Sequence, residues 1–271
     1  MRADGGPACG ERIISPHDPG ARAGRKRGKG WVGEKVHVTE TAEPGGPNFI
    51  TDVATESAAS HDTEALGGIR ERLSGRGLLP EEQIVDGGYV SGQQLAASEA
   101  AGIELVGPPP ADTSPQAFKL EAFTLNRAER VAICPAGVRS TKWGERTERD
   151  GSASIQIRFP ASACAACPLR AQCTTSPRGR NLSLSEHHER LEARRAEART
   201  PAFWERLKTR AAIEGTLSEL VRAHGLRRHR YRGDAKRQFE NLLKAAACNL
   251  KRLARVLAAS PVSPAATTAA G

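Results

Sequence analysis

The chain has 271 residues, room for one large domain or two smaller ones, and its 38% hydrophobic and 26% charged residues can build a core, which excludes wholesale disorder. A net charge of +9 points to a polyanionic partner, nucleic acid being the commonest, although coding bias toward Arg and Ala would give the same excess. No apolar run approaches the roughly 18 residues of a membrane span, and Met1–Gly6 lacks a signal peptide's apolar stretch, so a cytoplasmic protein is expected.

Residues 1–30 hold Gly and Pro breaks and the basic run Arg25-Lys26-Arg27-Gly28-Lys29, and read mostly as loop. The abrupt start suggests a fragment of a longer gene. Lys35–Thr41 alternates with period two and is rich in β-formers, a strand. Pro44-Gly45-Gly46-Pro47 is a turn, and Asn48–Thr55 a second strand, hairpin-paired with the first. Asp62 can cap a helix that places Leu66, Ile69, Arg70 and Leu73 on one face, ended by Gly75–Pro80. Gln83-Ile84-Val85 is a short strand running into Asp86-Gly87-Gly88-Tyr89. Ser91 can cap a helix over Gly92–Ala101, and Ile103–Gly107 is a further strand closed by Pro108–Pro110. This order describes an α/β layer over residues 31–110 whose last strands run parallel.

Residues 111–185 change character. Short β segments such as Ser154–Phe159 lie among loops with four cysteines, which reads as an inserted subdomain. From 186 to 257 the pattern is helical. It comprises a solvated helix over Glu189–Arg199, a helix from Pro201 carrying Phe203, Leu207, Arg210, Ile213, Glu214 and Leu217, and a final helix over Ala235–Leu257. Residues 258–271, rich in Ala, Pro, Ser and Thr, read as a disordered tail.

In a reducing compartment six cysteines favour metal or free thiols over disulfides. Cys164-x-x-Cys167 can turn two thiolates onto one ion, Cys134-Pro135-x-Gly137 supplies a second knuckle-like turn, and Cys173 follows. Four thiolates match tetrahedral Zn²⁺, and a subdomain with little core needs such a staple; free thiols are the other reading. Cys248, among apolar helix residues, reads as core, and Cys9 as incidental. Asp86 ends an apolar strand, where ligands of open α/β sheets gather. Glu214 has Arg210 four residues before it, the spacing of an ordinary helical ion pair. From Lys208 to Arg255 thirteen Lys and Arg stand against four Asp and Glu, so the whole net charge is concentrated there.

Together these segments resemble a bacterial insertion-sequence transposase of the DDE type, with an RNase-H-like fold. Trp31-Val32-Gly33-Glu34-Lys35-Val36-His37 resembles the family's Trp-x-Gly-Tyr-Lys-x-His strand, with Glu34 in place of Tyr. His61-Asp62 matches a His-Asp pair after the next strand. Val85-Asp86-Gly87-Gly88-Tyr89 matches the Asp-x-Gly-Tyr segment of the second catalytic aspartate, and Arg210-Ala211-Ala212-Ile213-Glu214 the Arg-x-x-x-Glu segment of the catalytic glutamate. Leu207 stands where a related signature has Tyr. Gly225–Gly233 resembles the basic segment that follows, and Cys164–Arg170 the cysteine motif of one subgroup's insertion. The likeness covers residues 10 to 257.

The resemblance implies an RNase-H-like mixed sheet with flanking helices, a cysteine-rich β insertion and a helical C-terminus. It implies phosphoryl transfer at insertion-sequence ends with two Mg²⁺ or Mn²⁺ ions held by three carboxylates. Asp86 and Glu214 supply two of them and Arg210 orients Glu214 or meets a phosphate. Arg222, Arg227, Arg228, Arg230, Arg232, Lys236 and Arg237 neutralise double-stranded DNA. No strand ending in Asp precedes Trp31, and Asp18 matches a loop Asp-Pro. The chain therefore reads as a C-terminal part without the first catalytic aspartate, inactive alone, with an open edge on the Lys35–Thr41 strand that favours association, a homodimer being the simplest form. The alternatives are a non-catalytic, zinc-stapled DNA-binding protein derived from such a gene, and an unrelated zinc-ribbon protein, which leaves the Asp86 and Glu214 segments unexplained.

Overall fold

The computed structural model describes residues 12–26, 28–43, 45–111, 116–148 and 152–259. In chain order the elements are β1 (Arg22–Lys26), β2 (Lys29–Glu40), β3 (Ile50–Ser57), α1 (Ala65–Gly75), β4 (Glu82–Ile84), α2 (Gly92–Ala100), β5 (Glu104–Val106), β6 (Thr124–Asn126), β7 (Val131–Ile133), β8 (Lys142–Thr147), β9 (Ala153–Arg158), α3 (Ala161–Ala165), α4 (Arg170–Cys173), β10 (Asn181–Ser185), α5 (His188–Glu197), α6 (Pro201–Lys208), α7 (Ala211–Ala223) and α8 (Asp234–Ala259). The chain is mixed α/β and divides into two compact units, residues 1–84 with 204–271, and residues 85–203. Cys9 and residues 260–271 lie outside the described residues, and α8 runs two residues into the expected tail.

In the first unit β1, β2 and β3 form an antiparallel sheet in that order. The hairpin of β2 and β3 has the register Val36↔Thr55 and Val38↔Val53, as the alternation of Lys35–Thr41 predicts. β1 falls where a loop is expected. Its strand character comes from its partner, since Ala23 and Gly24 pair with Val32 and Trp31, and a Cβ on Gly24 would sit 2.5 Å from the Trp31 indole. β1 covers only Lys29–Gly33 of β2, so Lys35–Glu40 is paired with β3 alone among the described strands.

The outer edge of β3 is closed by amide side chains of α8. Asn249 donates to the Ile50 carbonyl (2.8 Å) and accepts from its N–H (2.9 Å). Gln238 donates to the Val53 carbonyl and accepts from the Thr55 N–H, each at 2.8 Å. Two side chains thus stand in for a missing strand and blunt an edge that would otherwise pair with another chain. Ile50, Val53, Leu220, Leu226, Ala245 and Cys248 form the apolar core beneath. Helix α1 buries Ala65, Leu66, Ile69, Arg70 and Leu73, the face predicted from spacing. The turn before it is capped by His61, whose ring accepts from Thr63 N–H, while Asp62 pairs with Lys35 at 2.9 Å. The expected single helix from Pro201 is two, α6 and α7, because Thr209 and Arg210 tighten into bonds to residues three back (Arg206 and Leu207).

In the second unit Ser91 caps α2 by accepting from Gln94 N–H, and α5 buries no residue, as its composition predicts. The β segments make an antiparallel sheet of order β10-β9-β8 and the hairpin β6-β7. Phe123, Ala132, Ile157, Phe159, Leu182 and Leu184 pack between them, with Cys134, Cys164 and Cys173 against that cluster. The described strands fall into small sheets in place of the single mixed sheet that the resemblance implies.

Candidate functional site

Asp86 follows buried Val85, whose N–H donates to the Val106 carbonyl at 2.8 Å. Its extended backbone caps a 3-10 turn over Gly87–Tyr89, and Oδ1 accepts the Gly87 N–H at 2.8 Å. Val90, also buried, fixes the other side of the turn. Gly107 presses against this turn: a Cβ there would lie 2.7 Å from Val90 and 2.9 Å from Val85. The carboxylate is therefore exposed on a rigid base.

Glu214 lies in the first turn of α7 and is 64% exposed, so its apolar sequence neighbours do not enclose it. Arg210 reaches its Oε1 at 3.4 Å, the i,i+4 pair that the spacing predicts. Asp86 belongs to the second unit, Glu214 and Arg210 to the first.

After α7 the chain turns at Gly225 (φ +66°), and Leu226 is buried, its N–H donating to the Leu220 carbonyl. That anchor carries an exposed basic segment. Arg222, Arg227, Arg228, Arg230, Arg232 and Lys236 are all exposed, and none forms an ion pair among the described residues. Tyr231, half exposed, stands among them. Arg237 departs from the set. It is 5% exposed, and its guanidinium is held by Asp18, Glu34 and Asp234, so it is a buried hub and not a free phosphate contact. Burial pushes the Glu34 carboxyl above its ordinary range, and Arg237 only partly offsets that. Helical periodicity places Arg237 with its neighbours; what buries it is acidic residues brought from Asp18 and β2.

All four clustered cysteines line one cavity, with Phe159, Arg170 and Arg180. Cys134 opens a knuckle in which Gly137 (φ +78°) donates to the Cys134 carbonyl and Cys134 N–H to the Val138 carbonyl. The Arg180 N–H donates to the Cys164 sulfur at 3.5 Å, and the Arg180 side chain donates to the Cys173 carbonyl. Burial pushes the Cys173 thiol up, and the other three cysteines add to that shift against Arg180. No three of the four sulfurs lie within 4.8 Å of one another; a zinc ion would require about 3.8 Å between them, given Zn–S bonds of about 2.3 Å.

Residues 133–254 match the family model described as transposase DDE domain. This segment is similar to a transposase DDE domain. The matched stretch holds all four clustered cysteines, Arg210, Glu214 and the basic segment, and Asp86 precedes it. Comparison with curated proteins and with solved structures gives no match. No helix among the described residues is long and apolar enough to cross a membrane. Two features escape the sequence reading. One is the ion-pair hub at Arg237, for which Glu34 in a Tyr position is the one signal. The other is a group of Glu219, His224 and Cys248 whose ligand atoms come together from α7, its C-terminal cap and α8.

Proposed function

We propose that the chain is part of a DDE transposase that acts on double-stranded DNA at insertion-sequence ends. The observation that carries this reading is a set of six exposed basic side chains, free of ion pairs among the described residues, spread from the last turn of the helix bearing Glu214 to the first turn of α8 and inside the matched stretch. Asp86 and Glu214 are the candidate ligands for Mg²⁺ or Mn²⁺. Both are exposed carboxylates, and Asp86 is seated on a strand end, which fits hard cations that favour oxygen donors. Divalent ions at such a site supply charge stabilisation for in-line phosphoryl displacement. Arg210 holds Glu214 from one side and leaves its second oxygen for a ligand. The basic segment neutralises phosphates and sets the register of the duplex without reading bases.

Cys134, Cys164, Cys167 and Cys173 are proposed to hold one structural Zn²⁺. The single cavity they share and the N–H donated to Cys164 support this; the sulfurs would close inward on the ion. A second copy of the chain is the proposed partner of the outer face of α8. Phe239, Leu243, Ala246, Leu250, Leu253 and Leu257 recur there at steps of three and four and are exposed, the seam that a like helix matches. Sedimentation should show a dimer that Leu250→Lys dissociates; an unchanged monomer removes this part of the reading.

The test is DNA binding against salt, followed by cleavage. Binding should weaken by orders of magnitude between about 50 and 200 mM salt if six or more phosphates are contacted. Arg227→Ala, Arg228→Ala and Arg230→Ala together should flatten the logarithmic slope by about 0.9 for each phosphate no longer neutralised. Salt-independent binding, or none at low salt, removes the reading. Because only two carboxylates are assigned, little strand cleavage is expected from the 271-residue chain with Mg²⁺ or Mn²⁺. Robust cleavage abolished by Asp86→Ala would make it a complete catalyst. One observation favours a second, non-catalytic DNA-binding reading: Glu214 is engaged by Arg210 in an ordinary helical pair.

A further inference from the structure

Glu219 on α7, His224 at the C-terminal cap of α7 and Cys248 on α8 present ligand atoms that all lie within 4.8 Å of one another. The Cys248 side chain is fully buried, and its thiol is hydrogen-bonded to Glu219. The His224 Nε2 atom is buried with no hydrogen-bond partner. An interior ring nitrogen left in that state is costly. We propose that Glu219, His224 and Cys248 form a transition-metal site that takes Zn²⁺.

The donor chemistry selects the ion. One sulfur, one imidazole nitrogen and one carboxylate oxygen suit borderline Zn²⁺, and a buried sulfur disfavours Mg²⁺ or Ca²⁺. Three protein ligands leave a fourth position for water. On binding, the Cys248 S–H bond breaks, its proton leaves to solvent and a Zn–S bond forms. His224 gives its free Nε2 lone pair. Thiolate and carboxylate carry two negative charges, which balance the ion. The carboxylate is already prepared: burial pushes Glu219 up, but hydrogen bonds from Lys251, Arg252 and Cys248 outweigh it and hold the group below its ordinary range. Lys251 lies 3.2 Å from Oε1 and Arg252 3.2 Å from Oε2. Each carboxylate oxygen offers two lone pairs, so both pairs persist beside a metal bond. Arg252 is shared with Glu40 (3.3 Å) and donates to the Thr216 hydroxyl (2.7 Å), which keeps it in place. The ion would clamp the last turn of α7 to the middle of α8 and so fix the helix whose first turn carries Glu214. It does not depend on the four-cysteine site or on DNA chemistry.

The experiment is metal analysis of the full chain purified without chelator, joined to the absorption spectrum of the Co²⁺-substituted protein. The wild type should hold one ion more than Cys248→Ala and than His224→Gln, and Cys164→Ser with Cys167→Ser should leave that ion in place. The Co²⁺ spectrum of the wild type minus that of Cys248→Ala should show the charge-transfer intensity of a single thiolate. If Cys248→Ala fails to fold by circular dichroism, His224→Gln, which keeps volume and polarity, decides. Equal metal content in wild type and a folded His224→Gln overturns the site, as does a wild type with no metal. One ion lost in His224→Gln but kept in Cys164→Ser with Cys167→Ser upholds the site while removing zinc from the four cysteines.

Discussion

The two units are held together by different chemistry. In the second, the β8–β10 sheet closes over a small apolar cluster, and its loops converge on four thiols around one cavity. In the first, the three-stranded sheet is tied to α1, α7 and α8 by buried ion pairs. Arg237 gathers Asp18, Glu34 and Asp234; Arg252 gathers Glu40 and Glu219; Asp52, 2% exposed, receives Arg72 at 2.8 Å and Arg76 at 2.5 Å. If the four thiols hold the Zn²⁺ proposed for them, that region depends on one added component and loses its fold without it. A charge network contains its own counter-charges, yet removing one member leaves the others buried and unmatched. On the proposed reading, the same chain carries one region sensitive to metal supply and one sensitive to point changes in charge.

The largest effect expected is on the thiol side. Cys164→Ser with Cys167→Ser should remove hydrogen-exchange protection from β8, β9 and β10 by orders of magnitude while β2 and β3 keep theirs. Equal loss in both units would erase the contrast. Next is Arg237→Ala, which leaves Glu34 buried without its partner and should cost about 3–5 kcal/mol in denaturant unfolding of the first unit. A loss under about 1 kcal/mol would mean that Asp18 and Glu34 relax to solvent. Asp52→Asn should cost less, because Arg72 and Arg76 are each more than 40% exposed and regain water.

The smallest effect concerns Glu34 and has a definite sign. Its carboxyl is pushed up in the fold, so the folded state takes up this proton more readily than the unfolded chain. Below the ordinary glutamate range both states are protonated and the group is neutral to stability. As pH rises through the raised value, the wild type loses stability that Glu34→Gln does not. The variant should equal the wild type at acid pH and exceed it at pH 7. A variant less stable at pH 7 would show that the Arg237 pair outweighs desolvation.

Local periodicity made the β2–β3 hairpin, α1 and α8 legible, because their apolar faces repeat within the segment itself, while α2 was marked by its Ser91 cap and α5 by its charge. β1 was not legible, since its strand character is lent by Gly33, Val32 and Trp31 across the hairpin. The break between α6 and α7 was hidden by an apolar spacing that continues through Thr209 and Arg210. Among the candidate site residues, six of the seven basic ones are exposed as their composition implied, and the i,i+4 spacing of Arg210 and Glu214 gives the ion pair. Arg237 reads identically to its neighbours in sequence; only the return of Asp18 and β2 to the start of α8 distinguishes it. Glu219, His224 and Cys248 have no shared motif, and their meeting depends on how α7 folds back along α8.

The amide ladder from α8 to β3 also sets an order of events in folding. Asn249 and Ile50 are 199 positions apart, and Gln238 and Val53 are 185. The second unit is continuous in sequence and can be complete before α8 has left the ribosome, whereas the edge of β3 must wait for α8. Pairings of such separation form late and slow the step that needs them. During synthesis the first unit therefore passes through a stage with an open β edge, and the moment of greatest exposure to mispairing is fixed by where two amide side chains sit in α8.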